Sequence, residues 1–177
     1  MSAGVDRRHC LLALAATLAG CSSAPRSTSG NAQLRTAPGT SMAPVSPLQL
    51  PGDGREALLA RAMLVVNTPY TFGGNSPEGG FDCSGLIQWA VQGIHAGRKL
   101  PRTTTQWAQA SVPLRRELQR GDFVFFNTLG GRYSHMGIFV GNHQFVHAPS
   151  KGGTVQRVRL DNVYFAPRFT EARSIFV

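Results

Sequence analysis

The sequence predicts an α+β domain, with helices first and one antiparallel sheet after them. Apolar residues recur at helical spacing as far as about Ala110. From Phe123 onward they fall into short runs of Val, Phe and Ile divided by glycine-bearing turns. A helix-rich half followed by a strand-rich half packs as helices on one antiparallel sheet. Residues 53–177, which carry these patterns, have the length of one compact domain with a single core. No internal repeat or second block of composition divides them.

Residues 1–20 read as a secretion signal rather than as part of the fold. Arg7 and Arg8 form a basic start, Cys10 to Leu18 a short apolar run, and Ala19-Gly20 the small residues before a cleavage point. The run is too short to span a bilayer. Leu18-Ala19-Gly20-Cys21 resembles a bacterial lipoprotein cleavage box, which implies acyl chains on Cys21. Ser22 in place of Asp resembles lipoproteins sent to the outer membrane. Several chains on one residue anchor firmly where a single chain binds only marginally. Residues 21–52 are then the lipid anchor and a flexible tether, rich in Ser, Pro, Gly, Thr and Ala.

Within the domain, Asp53 with Glu56 three residues on predicts a capping box and a helix to about Val66. Thr68-Pro69-Tyr70 and Gly73-Gly74 end it, and a Gly/Pro-rich loop runs to Phe81. Asp82 caps a second helix, Cys83 to about Gln92, with Gly93 as its stop. A short third helix covers Thr104 to Ala110. Strands are expected at Phe123–Phe126, Met136–Val140, Gln144–His147, Thr154–Leu160 and Ser174–Val177, with turns at Gly130-Gly131, Gly141-Asn142 and Gly152-Gly153.

The formal charge is +9 and stays strongly positive once Arg7, Arg8 and Asp6 are removed; all basic residues but Lys99 and Lys151 are arginines. Such a surface attracts polyanions. Export and the lack of any helix-turn-helix, zinc-finger or aromatic RNA-binding signature exclude nucleic acid. The envelope offers lipid phosphates, anionic wall polymers and peptidoglycan carboxylates instead.

The informative residue is Cys83. Cys10 and Cys21 belong to the leader, so an exported domain carries one thiol with no disulfide partner. At a helix start the dipole and free N–H groups favour a thiolate, a tendency Asp82 opposes by like charge. His135 opens one strand and His147 closes the next, across a tight turn, so the two are expected at comparable depth. A nucleophile, an imidazole and a third orienting group is the logic of covalent acyl transfer. A plainer reading makes Cys83 a small core hydrophobe and His147 a partner of a backbone carbonyl, with His95 and His143 solvated. One Cys and scattered His give no ligand pair at metal spacing, so neither metal nor cofactor is expected.

Thr68-Pro69-Tyr70, Gly73-Gly74, Phe81-Asp82-Cys83-Ser84-Gly85, Leu100-Pro101-Arg102-Thr103-Thr104, Gly121-Asp122-Phe123-Val124-Phe125-Phe126 and Ser134-His135-Met136-Gly137-Ile138 occur in that order. Together they resemble the NlpC family of cell-wall cysteine peptidases, over essentially residues 55–177. The resemblance implies a papain-like fold, a Cys83 nucleophile, a His135 base and His147 as the residue orienting it. It places Tyr70 near the oxyanion position, completed by the N–H groups of Cys83 and Ser84. It implies cleavage of the peptidoglycan stem peptide after D-glutamate. The family's extra wall-binding repeats are absent from this sequence, leaving the Cys21 anchor and the charge as targeting devices. Arg102 is expected, from charge alone, to meet stem carboxylates. The alternatives are an amidase or acyltransferase on the same scaffold, or a domain that binds wall peptides without cutting them.

Overall fold

The computed structural model describes residues 46–96 and 99–177. The expected signal, Cys10, Cys21 and most of the tether lie outside the described residues. The packed chain starts upstream of the expected boundary at Asp53. Leu48 and Leu50 are buried, and Leu50 exchanges backbone hydrogen bonds with the C-terminal segment: its N–H donates to the Ile175 carbonyl at 2.7 Å and its carbonyl accepts from Val177 at 3.0 Å. Composition hid this, because two leucines in a Ser/Pro-rich stretch show no period.

Helix α1 spans Gly54–Leu64 and α2 spans Cys83–Gln92. Asp53 takes helical dihedral angles and makes no side-chain cap, so the expected capping box is not formed there. Carbonyls of Pro51 and Gly52 accept from Gly54 and Arg55 instead, and Glu56 pairs with Arg120 at 2.8 Å. A capping box does form at α3, Thr104–Gln109, between Thr103 and Gln106. The loop expected up to Phe81 contains a small hairpin, β1 Asn75–Ser76 and β2 Gly80–Phe81.

Six strands form one antiparallel sheet: β3 Val112–Pro113, β4 Phe123–Phe126, β5 His135–Gly141, β6 Gln144–His147, β7 Gln156–Arg159 and β8 Phe169–Ser174. Their spatial order is β3-β8-β4-β5-β6-β7. The β5–β6 turn places Asn142 and His143 at φ 50° and 56°, the left-handed pair of a two-residue hairpin whose twist suits the flanking strands. The last strand runs earlier than the expected Ser174–Val177. Its polar residues answer one another: Arg173 pairs with Glu171, and Glu171 accepts from the Tyr133 hydroxyl at 2.9 Å. A strand whose polar groups are satisfied by neighbours carries no apolar signature.

The central strands are buried on both faces, and the alternating direction of their side chains builds two cores. Phe123, Phe125, Met136, Ile138, Val140 and Val146 face the helices with Leu58, Leu86, Ile87 and Trp107. Val124, Phe126, Phe139 and Phe145 face the other way and meet Phe165 from the β7–β8 connection. The helix that carries Cys83 belongs to the first side. The histidines belong to the second.

Candidate active site

Cys83 is the first residue of α2. Asp82 sits before it in extended conformation, and its carboxylate accepts from the Gly85 N–H at 2.7 Å. The other carboxylate oxygen accepts from the Gly73 N–H at 3.0 Å, which ties the Gly73-Gly74 loop to the helix start. Gly85 has to be glycine, since a Cβ there would fall on the Gly74 carbonyl oxygen. The Asp-Cys-Ser-Gly run is therefore a local device that presents one thiol at a helix start pressed against a loop.

A cleft of about 430 Å³ opens at this point, lined by Cys83, Tyr70, His135 and His147, and by Phe165, Ser134 and Gln156 among others. His135 and His147 lie at depth, His147 fully enclosed. Their rings stand nearly perpendicular, and His135 Nε2 lies 2.8 Å from His147 Nδ1. That contact occupies Nε2 and leaves Nδ1 of His135 as its remaining nitrogen. The β5–β6 register brings this about. A Cβ on Gly137 would lie 2.6 Å from the Phe145 ring, 2.7 Å from the Val146 carbonyl and 3.3 Å from the His147 Cβ. Any larger residue would push β6, and His147 with it, away from β5.

Electrostatics in the cleft follow from burial. It lowers His135 to about 4, and burial together with His135 lowers His147 to about 3, so both rings are neutral near pH 7. Burial, then the Asp82 carboxylate, pushes the Cys83 thiol up to about 11, although N–H groups of Met136, Ser84 and Cys83 point at the sulfur and favour the anion. Burial thus works against the expected thiolate and favours a neutral thiol, although Cys83 keeps partial exposure to the cleft. Burial, then Cys83 and Asp82, raises the Tyr70 hydroxyl, which stays protonated and able to donate.

Arg102 is not in this cleft. Its guanidinium donates to both Asp82 oxygens, at 2.9 and 2.7 Å, and to Ser84 Oγ at 3.0 Å. Ser84 Oγ in turn donates to Asp82 at 3.0 Å. Burial would raise the Asp82 carboxyl, but Arg102, the Gly85 amide and Ser84 outweigh it and hold the group below its usual range. Arg102 thus stands paired with Asp82 and borders a second cavity beside Asn75 and Gln88. The Ser84 side chain is likewise engaged in this network, and only its N–H faces the thiol. Sequence reasoning missed Met136, whose backbone amide rather than side chain matters, and Phe165, which contacts both imidazoles. It also missed Ser134, whose Oγ accepts from Thr128 and Leu129 and shapes the cleft rim. Among the described residues no group of three or more His, Cys, Asp or Glu is arranged to hold a metal ion.

The sequence profile of the NlpC/P60 family matches residues 67–174, from the Tyr70 loop through β8. The chain belongs to the NlpC/P60 family. The murein DD-endopeptidase MepH of Escherichia coli (strain K12) is 37% identical over 119 residues, which is 65% of this chain and 44% of MepH. The probable endopeptidase NlpC of the same strain is 41% identical over 110 residues, covering 61% of this chain and 70% of that protein. The bifunctional muramidase/DL-endopeptidase CwlT of Bacillus subtilis (strain 168) is 38% identical over 114 residues, 61% of this chain and 33% of CwlT. The chain therefore spans less than half of MepH and about a third of CwlT. Among solved structures, a lipoprotein-like NLP/P60 protein of Staphylococcus aureus superposes with a TM-score of 0.61 at 30% identity, over 75% of this chain and 44% of that one. The NlpC/p60 domain of the peptidoglycan hydrolase SagA gives 0.57 at 32%, over 67% and 97%. In the NlpC/P60 frame the architecture is the papain-like α+β arrangement, and the cleft lies where α2 meets the ends of β5 and β6.

Proposed function

We propose that this chain is a peptidoglycan hydrolase, a cysteine endopeptidase that cuts the stem peptide on the carboxyl side of D-glutamate. The observation that carries the reading is one cleft holding Cys83 at a helix start with a hydrogen-bonded His135–His147 pair, in an NlpC/P60 domain. His135 Nδ1 takes the Cys83 proton as the sulfur attacks the amide carbonyl carbon, so charge separates only when substrate is in place. The oxyanion is met by the N–H groups of Cys83 and Ser84 and by the Tyr70 hydroxyl. Collapse breaks the C–N bond, and the proton on His135 leaves with the amine. Water then attacks the thioester carbon, giving one proton to Nδ1; collapse breaks the C–S bond, His135 returns that proton to the sulfur, and the acid product leaves, ionising to solvent. His147 Nδ1 accepts from the Nε2–H of His135 throughout and fixes the tautomer in which Nδ1 is free to act as base.

The N-terminal sequence supports a lipid anchor on Cys21 and placement at the outer membrane facing the periplasm, with residues before Leu48 as the tether. Mass analysis of the membrane-derived N-terminal peptide tests this: acyl chains on Cys21 are expected, and full membrane partitioning of Cys21→Ala would refute the anchor. The name of MepH supports a second reading, cleavage of a D,D cross-link, whereas that of CwlT supports a D,L bond. Incubation with purified muropeptides separates them. The proposed enzyme converts uncross-linked stems to a dipeptide-bearing sugar fragment and a diamino-acid peptide. A D,D-endopeptidase splits only cross-linked dimers, an amidase frees intact stems, and a binding domain leaves every mass unchanged.

A further inference from the structure

The His135–His147 pair sits in a cage of three phenylalanines. Phe126 lies 6.2 Å from His135 and Phe145 4.9 Å from His147, centroid to centroid, and both come from the sheet itself. Phe165 contacts both rings from outside it: stacked on His135 at 5.9 Å and 27°, and edge-on to His147 at 5.0 Å and 89°. Its own flank stands in the cleft.

The segment carrying Phe165 is fastened at both ends. Asn162 Oδ1 accepts from the Tyr164 N–H at 2.8 Å, and the Ala166 N–H donates to the Asn162 carbonyl at 2.8 Å. A 3-10 turn follows at Ala166–Arg168, with Pro167 in its first turn. Arg168 then locks the segment from below, donating to the Tyr164 carbonyl at 2.7 Å with its guanidinium over the Tyr164 ring, while its own carbonyl accepts from Asn127 at 2.8 Å. Directly after exposed Val163 and half-exposed Tyr164, these bonds turn the Phe165 ring inward.

We propose that Phe165 is a positioning residue of the cleft, seating His135 against His147 and closing the pair off from water. This rests on the reading of His135 as the base of a cysteine peptidase. His147 Nε2 is buried and has no protein partner, and the Phe165 edge lies against that ring. The titratable groups facing the pair are Cys83 from α2, Tyr70 from its loop and Tyr164 from the connection. No Asp, Glu, Lys or Arg lines the cleft. Burial is therefore the first cause of the lowered imidazoles, and Phe165 supplies the removable part of it.

Histidine titration by NMR on the full chain tests this without any wall substrate. In the wild type both imidazoles should stay neutral at pH 5.5. Phe165→Ala admits water, and both midpoints should climb by at least about one unit toward the ordinary value of about 6.5. A midpoint near 6 leaves about tenfold less neutral base at pH 5 than one near 4, so the acid limb of turnover should move with it. Phe165→Leu restores an apolar wall and should return the midpoints to within about half a unit of wild type. A folded Phe165→Ala protein with unmoved midpoints overturns the proposal. So does a wild-type His135 titrating at its ordinary value, a result available even if the alanine variant fails to fold. A chain that cuts no muropeptide yet shows the Phe165→Ala shift would sink the peptidoglycan reading and leave this one standing.

Discussion

The two faces of the sheet bury ionisable groups under opposite electrostatics. On the helix side, Asp122 is fully enclosed but accepts from Arg55 and Arg116, each at 2.7 Å, and Asp82 is clasped by Arg102. For Asp122, burial pushes the carboxyl up, and Arg116, Arg55 and the Gln119 amide more than reverse it. On the opposite side, His135 and His147 are buried as deeply among phenylalanines, with only each other as polar partners. Equal burial leaves charged carboxylates on one face and neutral imidazoles on the other. The difference is whether a counter-charge came with the group. The first face holds the fold in place, and the second keeps two imidazoles in their proton-accepting form.

The sharpest way to break that contrast is to remove the chemistry and ask whether the fold notices. Cys83→Ala should lose all measurable muropeptide cleavage while its thermal midpoint stays near wild type. His135→Ala should lower turnover by about 10²–10⁴-fold, the range for a general base. His147→Ala or His147→Gln should cost less than that in the same assay. A His135→Ala protein retaining most of its rate would reassign the base.

The converse changes sit on the helix side. Asp122→Ala leaves Arg55 and Arg116 without their carboxylate and should cost roughly 1–3 kcal/mol in urea unfolding, less than for a fully buried pair because both arginines keep access to water. Arg102→Ala should cost roughly 1–3 kcal/mol by orphaning part of the Asp82 carboxylate, with KM unchanged. A raised KM at unaltered stability would instead restore Arg102 as a substrate contact. Gly137→Ala joins the two faces: overpacking against Val146 and Phe145 should cost about 1–3 kcal/mol, and turnover should fall because His147 moves.

The smallest effects are in pH. The two histidines have folded values below the unfolded one of about 6.5, so between roughly pH 6.5 and 4 the unfolded chain binds more protons and stability falls as pH falls. Asp82 and Asp122, also lowered, hold their contribution above about pH 4 and lose it below, as protons reach the folded carboxylates. His135→Gln should therefore flatten the stability curve in the upper window and leave the lower one alone. Iodoacetamide labelling of Cys83, followed by peptide mass analysis, should climb only above the ordinary thiol value of about 8.5. Strong labelling at neutral pH would show that the three amides at the sulfur outweigh its burial.

Local chemistry was legible in the sequence wherever a residue acts through its near neighbours. Asp82 caps α2 because an aspartate three residues before Gly85 reaches that amide without help from the rest of the fold. The same holds for the strands β4 and β6 and for the Asn142-His143 turn, which were expected where they occur. The shared depth of His135 and His147 also followed from strand period and turn position.

Tertiary structure alone decided what each group pairs with. Glu56 left its helix start for Arg120, and Arg102 was taken by Asp82, because charge pairing depends on distances across the fold that one-dimensional spacing does not encode. The buried start at Leu48 and the polar strand β8 were hidden for the same reason, since their partners lie far along the chain. The state of the thiol was decided there too. A helix start favours an anion, but how much water remains around the sulfur depends on everything packed over it, and here that burial raises the thiol.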